Sequence, residues 1–302
     1  MLNLVKQNVL ALGKDARYFS SMKHLELFTT QIQSWLEEDD LLRNLYYQQN
    51  LPQTPVQGKI KLKSSLVLAG LPFFATVFET LGVESKLFDS LMKHEGKKFE
   101  AGEVLELSGV MSFKNAVNGE RLALNLLAHA SSIATFTSQF VDKAKNYNIN
   151  ILDTRKTTPG LRSLEKYAVR VGGGFNHRFG QTDSWMIKDN HKTSMGGLKG
   201  AWDFFQAQGV FYNNIIVEIH SLDELQEAKN LGVKNVMLDN FSPENIKKAI
   251  ELKETGMTYE VSGGVRLETL DKYLIKGVDA ISVGALTNAA PRVDISFKFH
   301  QL

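Results

Sequence analysis

The sequence has no cysteine among its 302 residues. Disulfides, thiolate zinc sites and a cysteine nucleophile are thereby excluded, and the composition fits a reducing compartment. Proline is scarce, at 6 residues, while 43% of positions are hydrophobic and 23% charged; that balance belongs to a folded chain, and long disordered regions are not expected. A strong excess of one charge is missing too. The formal net charge is +2 and the pI about 8.5, too mild for a nucleic-acid binder, which carries a concentrated basic stripe. The longest apolar run, Leu66 to Phe78, is broken by Gly70 and Pro72 and is too short to cross a bilayer. The opening MLNLVKQNVLALGK is interrupted by Lys6 and Gln7, unlike a secretory signal. The expectation is a cytoplasmic protein with neither nucleic acid nor membrane as a partner.

What is present is alternation. From about residue 148, β-like stretches (NINILDT 148–154, SWMIKD 184–189, NIIVEI 214–219, NVMLD 235–239, YEVSG 259–263, AISVG 280–284) are separated by amphipathic segments. These are LRSLEKYAVRVGG, GGLKGAWDFFQAQG, LDELQEAKNLG, PENIKKAIELKETG and LETLDKYLIKG. Ser221 with Glu224 forms a capping box, Ser242-Pro243 supplies an N-cap followed by proline, and glycines at 209, 232, 256 and 277 stand where helices should stop. Strand, capped helix, glycine, strand implies a parallel sheet. No G-x-G-x-x-G follows the first strand, so a barrel is favoured over a dinucleotide-binding open sheet, and six units predict an incomplete one. The first half differs. Its β-like stretches (58–63, 65–71, 104–110) read as a separate α+β domain, and residues 119–146 form one long helical pattern. VDISFKF (293–299) alternates and is expected to add a strand to that first domain. The domains expected are 1–128, joined by 290–302, and a barrel over 129–289.

In parallel barrels the functional groups gather at the carboxyl ends of the strands. There the sequence places Arg155 and Lys156, then Lys188, Glu218, Asp239, Ser262-Gly263-Gly264 and Gly284. Each alone has a plain alternative: Glu218 can pair with a capping group, Asp239 can cap a helix and Lys188 can reach solvent. Charges inside apolar strands are costly unless paired or liganded, and here they recur at one place in successive strands. Arg155, Lys156, His177, Arg178 and Lys188 make a cationic face suited to carboxylates and phosphates. Glu218 and Asp239 make an acidic face suited to Mg²⁺ or to developing positive charge. The glycines offer bare backbone amides to phosphate. His129 and His220 have no partner spacing and read as structural.

The run DTRKTTPGLRSLEKYAVRVGGGFNHRFGQTDSWMIKDNH (153–191), with VEIHSLDEL, VMLDNFSPE, SGGV and ISVGALTNAAPRVDISF, closely resembles the quinolinate phosphoribosyltransferase family, from about residue 66 to the C-terminus. The resemblance implies an N-terminal α/β sandwich and an incomplete α/β barrel of the type II phosphoribosyltransferase kind, assembled as a homodimer. It also implies an enzyme, a pentosyltransferase that joins quinolinate to phosphoribosyl pyrophosphate with Mg²⁺, yielding nicotinate mononucleotide, pyrophosphate and CO₂ for NAD synthesis. Carried over by motif, Arg155, His177, Arg178 and Lys188 hold the quinolinate carboxylates, with Arg121 of GERLALN reaching in from the neighbouring subunit. Lys156, Glu218 and Asp239 match catalytic positions. With Ser262, Gly263, Gly264, Gly284 and Asn288 they surround phosphoribosyl pyrophosphate, and Glu218 and Asp239 take the metal. Two departures stand out: Asn288 occupies a position that is commonly histidine, and the family's N-terminal segment is not recognisable before residue 66. Three other readings are a related phosphoribosyltransferase of the molybdenum-operon type, an aldolase-like barrel with a Schiff base on Lys188, and a non-catalytic anion-binding protein.

Overall fold

The computed structural model describes residues 24–39, 45–208 and 214–301. In chain order these form helices His24–Glu38 and Leu45–Asn50, strands β1 (Pro55–Leu62) and β2 (Leu66–Val67), helices Leu71–Thr80 and Asp89–Met92, strands β3 (Lys98–Phe99) and β4 (Val104–Ser112), and the long helix Phe113–Ala144. Then follow β5 (Asn150–Leu152), helix Arg162–Val171, β6 (Trp185–Ile187), helices Asp189–Ser194 and Leu198–Ala207, β7 (Ile215–Ile219), helix Leu222–Asn230, β8 (Asn235–Asp239) and helix Pro243–Glu251. The chain closes with β9 (Thr258–Ser262), β10 (Ala280–Ser282), helix Ala285–Asn288 and β11 (Ile295–Gln301). Among the described residues no helix is long and apolar enough to cross a membrane. The opening segment and Gly209, on which two sequence expectations rest, lie outside the described residues.

The described residues divide into two compact units. One holds the chain up to Phe136, with Ser163–Gly173 and the residues from Ala290 onward; the other holds Thr137–Arg162 and Gly174–Ala289. The division after Phe136 and the joint expected after residue 128 both fall inside the helix Phe113–Ala144.

In the first unit β1 lies between β11 and β4 in an antiparallel sheet, and β2 pairs with β3. The strand expected at 293–299 is therefore present, with Phe297 opposite Ile60 of β1. Alternation buries Val56, Ile60 and Leu62 on one face of β1. Phe74, Phe78, Phe88 and Phe297 meet against that face as tilted, stacked and edge-on rings 5.1–6.2 Å apart. Each is fully buried, which contributes about 1.5–3 kcal/mol per ring. The expected strand at 65–71 shrinks to Leu66–Val67, because Leu71 opens a helix. Every residue from Leu71 to Phe78 is buried, so the segment has no polar face and its period cannot be read from the sequence.

The second unit is a parallel sheet in the order β5-β10-β9-β8-β7-β6. Strands β6 to β10 lie side by side in chain order and β10 pairs with β5, so β5 and β6, consecutive in the chain, occupy the two edges. The result is the incomplete barrel expected, open between β5 and β6, with Phe175 bridging to Leu152 at the β5 edge. All six expected strands form. The caps form too: Ser221 Oγ accepts from the Glu224 amide and Ser242 Oγ from the Asn245 amide. Glu224 reaches back one residue further than a standard box, accepting from the His220 amide. One expected helix does not form. LETLDKYLIKG contains a single 3₁₀ turn, Leu270–Lys272. Thr269 Oγ1 accepts from the Arg266 amide and donates to the Arg266 carbonyl, a local side-chain alternative to helical bonding.

Candidate active site

The barrel's strands end around a cleft of about 680 Å³ within the second unit, a volume suited to a small polar ligand. Its cationic wall comes from the segments after β5 and before β6. Asp153, fully buried, accepts from the His177 amide (2.8 Å) and from Asn176 Nδ2 (2.6 Å). The residue just before the loop bearing Arg155 and Lys156 thus fixes the loop bearing His177 and Arg178. Arg178 Nη1 donates to the Ser184 carbonyl, and its pKa is lowered by burial first and then by the like charge of Arg155, with Asp183 opposing. Two guanidiniums held close enough to repel are a standing demand for an anion. The Nε of Arg155 is buried without a hydrogen-bond partner.

His177 lines the cleft beside Arg155 and Arg178. Its Nδ1 accepts from the Arg178 amide at 2.7 Å, and its Nε2 lies 3.3 Å from Glu260 Oε2. Both side chains are buried, and Glu260 Oε1 has no hydrogen-bond partner.

The acidic wall comes from β6, β7 and β8. Register sets Glu218 opposite Met237 and Asp239 opposite Ser262, so both carboxylates stand at carboxyl ends of strands. Lys188 Nζ lies 3.6 Å from Glu218 Oε2. His220 sits among carboxylates: Nε2 is 2.6 Å from Asp189 Oδ1 and 3.4 Å from Glu218 Oε1, and Nδ1 is 3.8 Å from Asp239 Oδ2. Beneath them Lys192, buried on the helix Asp189–Ser194, donates to the Glu218 carbonyl and to Glu224 Oε1.

The backbone part of the site is tightly built. Asn240, itself at φ 56°, donates from Nδ2 to Asp239 Oδ2 and from its amide to the Ser262 carbonyl. A Cβ on Gly263, at φ 100°, would stand 2.2 Å from Asn240 Oδ1, so only glycine fits. At Gly284 a Cβ would stand 3.0 Å from the stem of Lys156 and 3.9 Å from Asn288 Nδ2. The Lys156 carbonyl accepts from Thr287 Oγ1.

Of the residues singled out in the sequence, Arg155, Lys156, His177, Arg178, Lys188, Glu218, Asp239 and Ser262 line one cleft. Gly263 adjoins it through Asn240, Gly284 adjoins it through Lys156, and Asn288 stands beside Gly284. Arg121 lies exposed on the helix Phe113–Ala144, in the first unit. Sequence reasoning missed Asp189, Trp185, His191 and Phe205, and it set His220 aside. Asp189 and His220 directly follow strand-end residues, so the rule that selected Lys188 and Glu218 would have reached them.

Two family models match the chain: the quinolinate phosphoribosyl transferase N-terminal domain over residues 40–131 and the C-terminal domain over 133–298. The family-model match therefore begins at residue 40, ahead of the point near 66 where motifs carry the resemblance. A Bacillus subtilis relative is 37% identical over 91% of this chain and 94% of its own. The human nicotinate-nucleotide pyrophosphorylase [carboxylating] is 35% identical over 88% of this chain and 90% of its own. The crystal structure of the nicotinate-nucleotide pyrophosphorylase from Ehrlichia chaffeensis superposes with a TM-score of 0.81 at 31% identity, covering 90% of this chain and 98% of that one.

Proposed function

Because the chain belongs to the quinolinate phosphoribosyltransferase family, we propose that it transfers the phosphoribosyl group of phosphoribosyl pyrophosphate to quinolinate, releasing pyrophosphate and CO₂ and forming nicotinate mononucleotide for NAD synthesis. The observation that carries this reading is the division of one cleft into a cationic and an acidic wall. Quinolinate brings two carboxylates, for which Arg155, His177, Arg178 and Lys188 are the partners. Phosphoribosyl pyrophosphate brings phosphates for Lys156, the Ser262–Gly264 amides and the Gly284–Asn288 turn.

The pyridine nitrogen attacks the anomeric carbon as pyrophosphate leaves. Glu218 and Asp239 face the positive charge that develops on the sugar, and Lys156 faces the departing phosphates. The cationic ring nitrogen stabilises the electron pair left at C2 when the 2-carboxylate departs as CO₂, and a proton taken up from solvent at C2 completes nicotinate mononucleotide. No covalent enzyme intermediate is needed, so the chain's contribution is positioning and charge matching. Mg²⁺ fits the donor set, since carboxylate oxygens suit it; Glu218 and Asp239 would hold it, and when bound it would neutralise phosphate charge. Arg121 is assigned to the neighbouring protomer's site in a homodimer, and the lack of cysteine suits a cytoplasmic setting.

An assay following both CO₂ and nicotinate mononucleotide from quinolinate, phosphoribosyl pyrophosphate and Mg²⁺ tests the reaction; product from nicotinate but none from quinolinate would overturn it. Mixing Arg121→Ala with Lys188→Ala protein should restore part of the activity. Verified mixed dimers without recovery would remove the shared site.

A further inference from the structure

Beside the acidic wall, three side chains of different chemistry turn their donor atoms toward one another. The ligand atoms of Asp189, Glu218 and His220 all lie within 4.8 Å of one another, with His220 Nε2 at 2.6 Å from Asp189 Oδ1 and 3.4 Å from Glu218 Oε1. Adjacent ligands about 2.1 Å from one ion stand about 3 Å apart, so these separations become a coordination sphere with small side-chain shifts. The second ring nitrogen faces Asp239 Oδ2 at 3.8 Å. That distance is beyond a hydrogen bond, so Asp239 contributes negative charge beside the ring.

Charge favours the same reading. Asp189, Glu218, Glu224 and Asp239 share the neighbourhood with the ammonium groups of Lys188 and Lys192, so four carboxylates against two cations leave two negative charges when His220 is neutral. A dication matches that surplus. Lys192 is the nearest competitor for Asp189, at 3.3 Å, but it is held more closely by Glu224 Oε1 at 2.8 Å and the Glu218 carbonyl at 3.0 Å. Asp189 can turn to an ion without leaving Lys192 unpaired.

We propose that His220 is a metal ligand, acting with Asp189 and Glu218 beside the charge of Asp239, and that its nitrogen makes this site bind a transition dication such as Mn²⁺ or Co²⁺ more tightly than Mg²⁺. Mg²⁺ prefers all-oxygen surroundings, whereas imidazole suits the later first-row ions. The inference rests on the reading above that the acidic wall holds a divalent metal, and it replaces Asp239 by His220 and Asp189 as direct partners of Glu218.

The test uses the full chain, freed of metal and titrated with Mn²⁺ without substrates. Free Mn²⁺ is followed by its electron paramagnetic resonance signal, with Mg²⁺ as competitor, and electron spin echo modulation of the bound ion reports nitrogen ligands. One coupled nitrogen is expected, lost in His220→Gln along with Mn²⁺ affinity on the order of tenfold or more, while Mg²⁺ affinity changes less. Asp189→Asn should weaken Mn²⁺ and keep the nitrogen coupling, which holds the test open if His220→Gln does not fold. Mn²⁺ bound through oxygen alone, or coupling that persists in His220→Gln, overturns the inference and leaves the carboxylate site standing. No Mn²⁺ binding at all, with or without added pyrophosphate, overturns both.

Discussion

Glu95 of the first unit and Glu218 of the second are both held beside apolar elements, yet their surroundings are opposite. Glu95 accepts from the Gly70 amide at 2.7 Å, the Leu71 amide at 2.9 Å and the Tyr167 hydroxyl at 2.7 Å. Two of those donors are open amides at the start of helix Leu71–Thr80, whose N-cap Gly70 offers no side chain; a carboxylate there satisfies them and meets the positive end of the helix. Glu218 has no such partners. Among the described residues, His220 Nε2 and Lys188 Nζ stand off from its carboxylate at 3.4 and 3.6 Å. A carboxylate saturated by its own chain is part of the architecture, whereas one whose neighbours keep their distance is available to a ligand.

The sharpest way to break this comparison is Glu218→Gln, which keeps the shape and removes the charge. Turnover should fall on the order of 10²-fold with the melting temperature nearly unchanged; wild-type turnover would return Glu218 to the architecture. Arg155→Ala removes a charge-assisted partner worth about 1.5–3 kcal/mol, so steady-state kinetics should show KM for quinolinate rising about 10- to 100-fold. Unaltered quinolinate kinetics would sink its assignment.

Glu95→Gln should do the reverse, lowering stability by about 1–3 kcal/mol in thermal or denaturant unfolding because one helix amide then faces an NH₂ group, with activity per folded molecule retained. The same variant carries a pH signature. Burial pushes Glu95 up to about 7, against the pull of its three hydrogen bonds. A carboxyl raised above its unfolded value stabilises the fold fully at low pH and loses that contribution as pH rises through the folded value. The stability gap between wild type and Glu95→Gln should therefore narrow between about pH 5 and 7.5; a gap that widens would show that the amides and Tyr167 outweigh burial. The smallest effect is expected at Ser242→Ala, about 1 kcal/mol from the lost cap, with no change in rate.

The contrast also explains what could be read in advance. Helix Leu222–Asn230 was legible because Ser221 caps it and Leu225 and Ala228 keep a helical spacing toward the core, all within a few residues of one another. Leu71–Thr80 was not, since burial on every side erases periodicity, and the LETLDKYLIKG segment misled because a threonine turn outcompetes its amphipathic pattern. In the site, Arg155, Lys188, Glu218 and Asp239 were legible as charges at strand ends.

Composition, local capping and the spacing of apolar residues determined that this chain makes a parallel α/β unit with a charged rim, because those signals act over three or four residues. Other features were left to the tertiary structure: Tyr167 meeting Glu95, 72 positions away, β10 closing onto β5, and Asp189 arriving beside His220 at 2.6 Å. Such meetings depend on how whole elements pack, and no local pattern encodes the distance between two side chains that separate strands bring together.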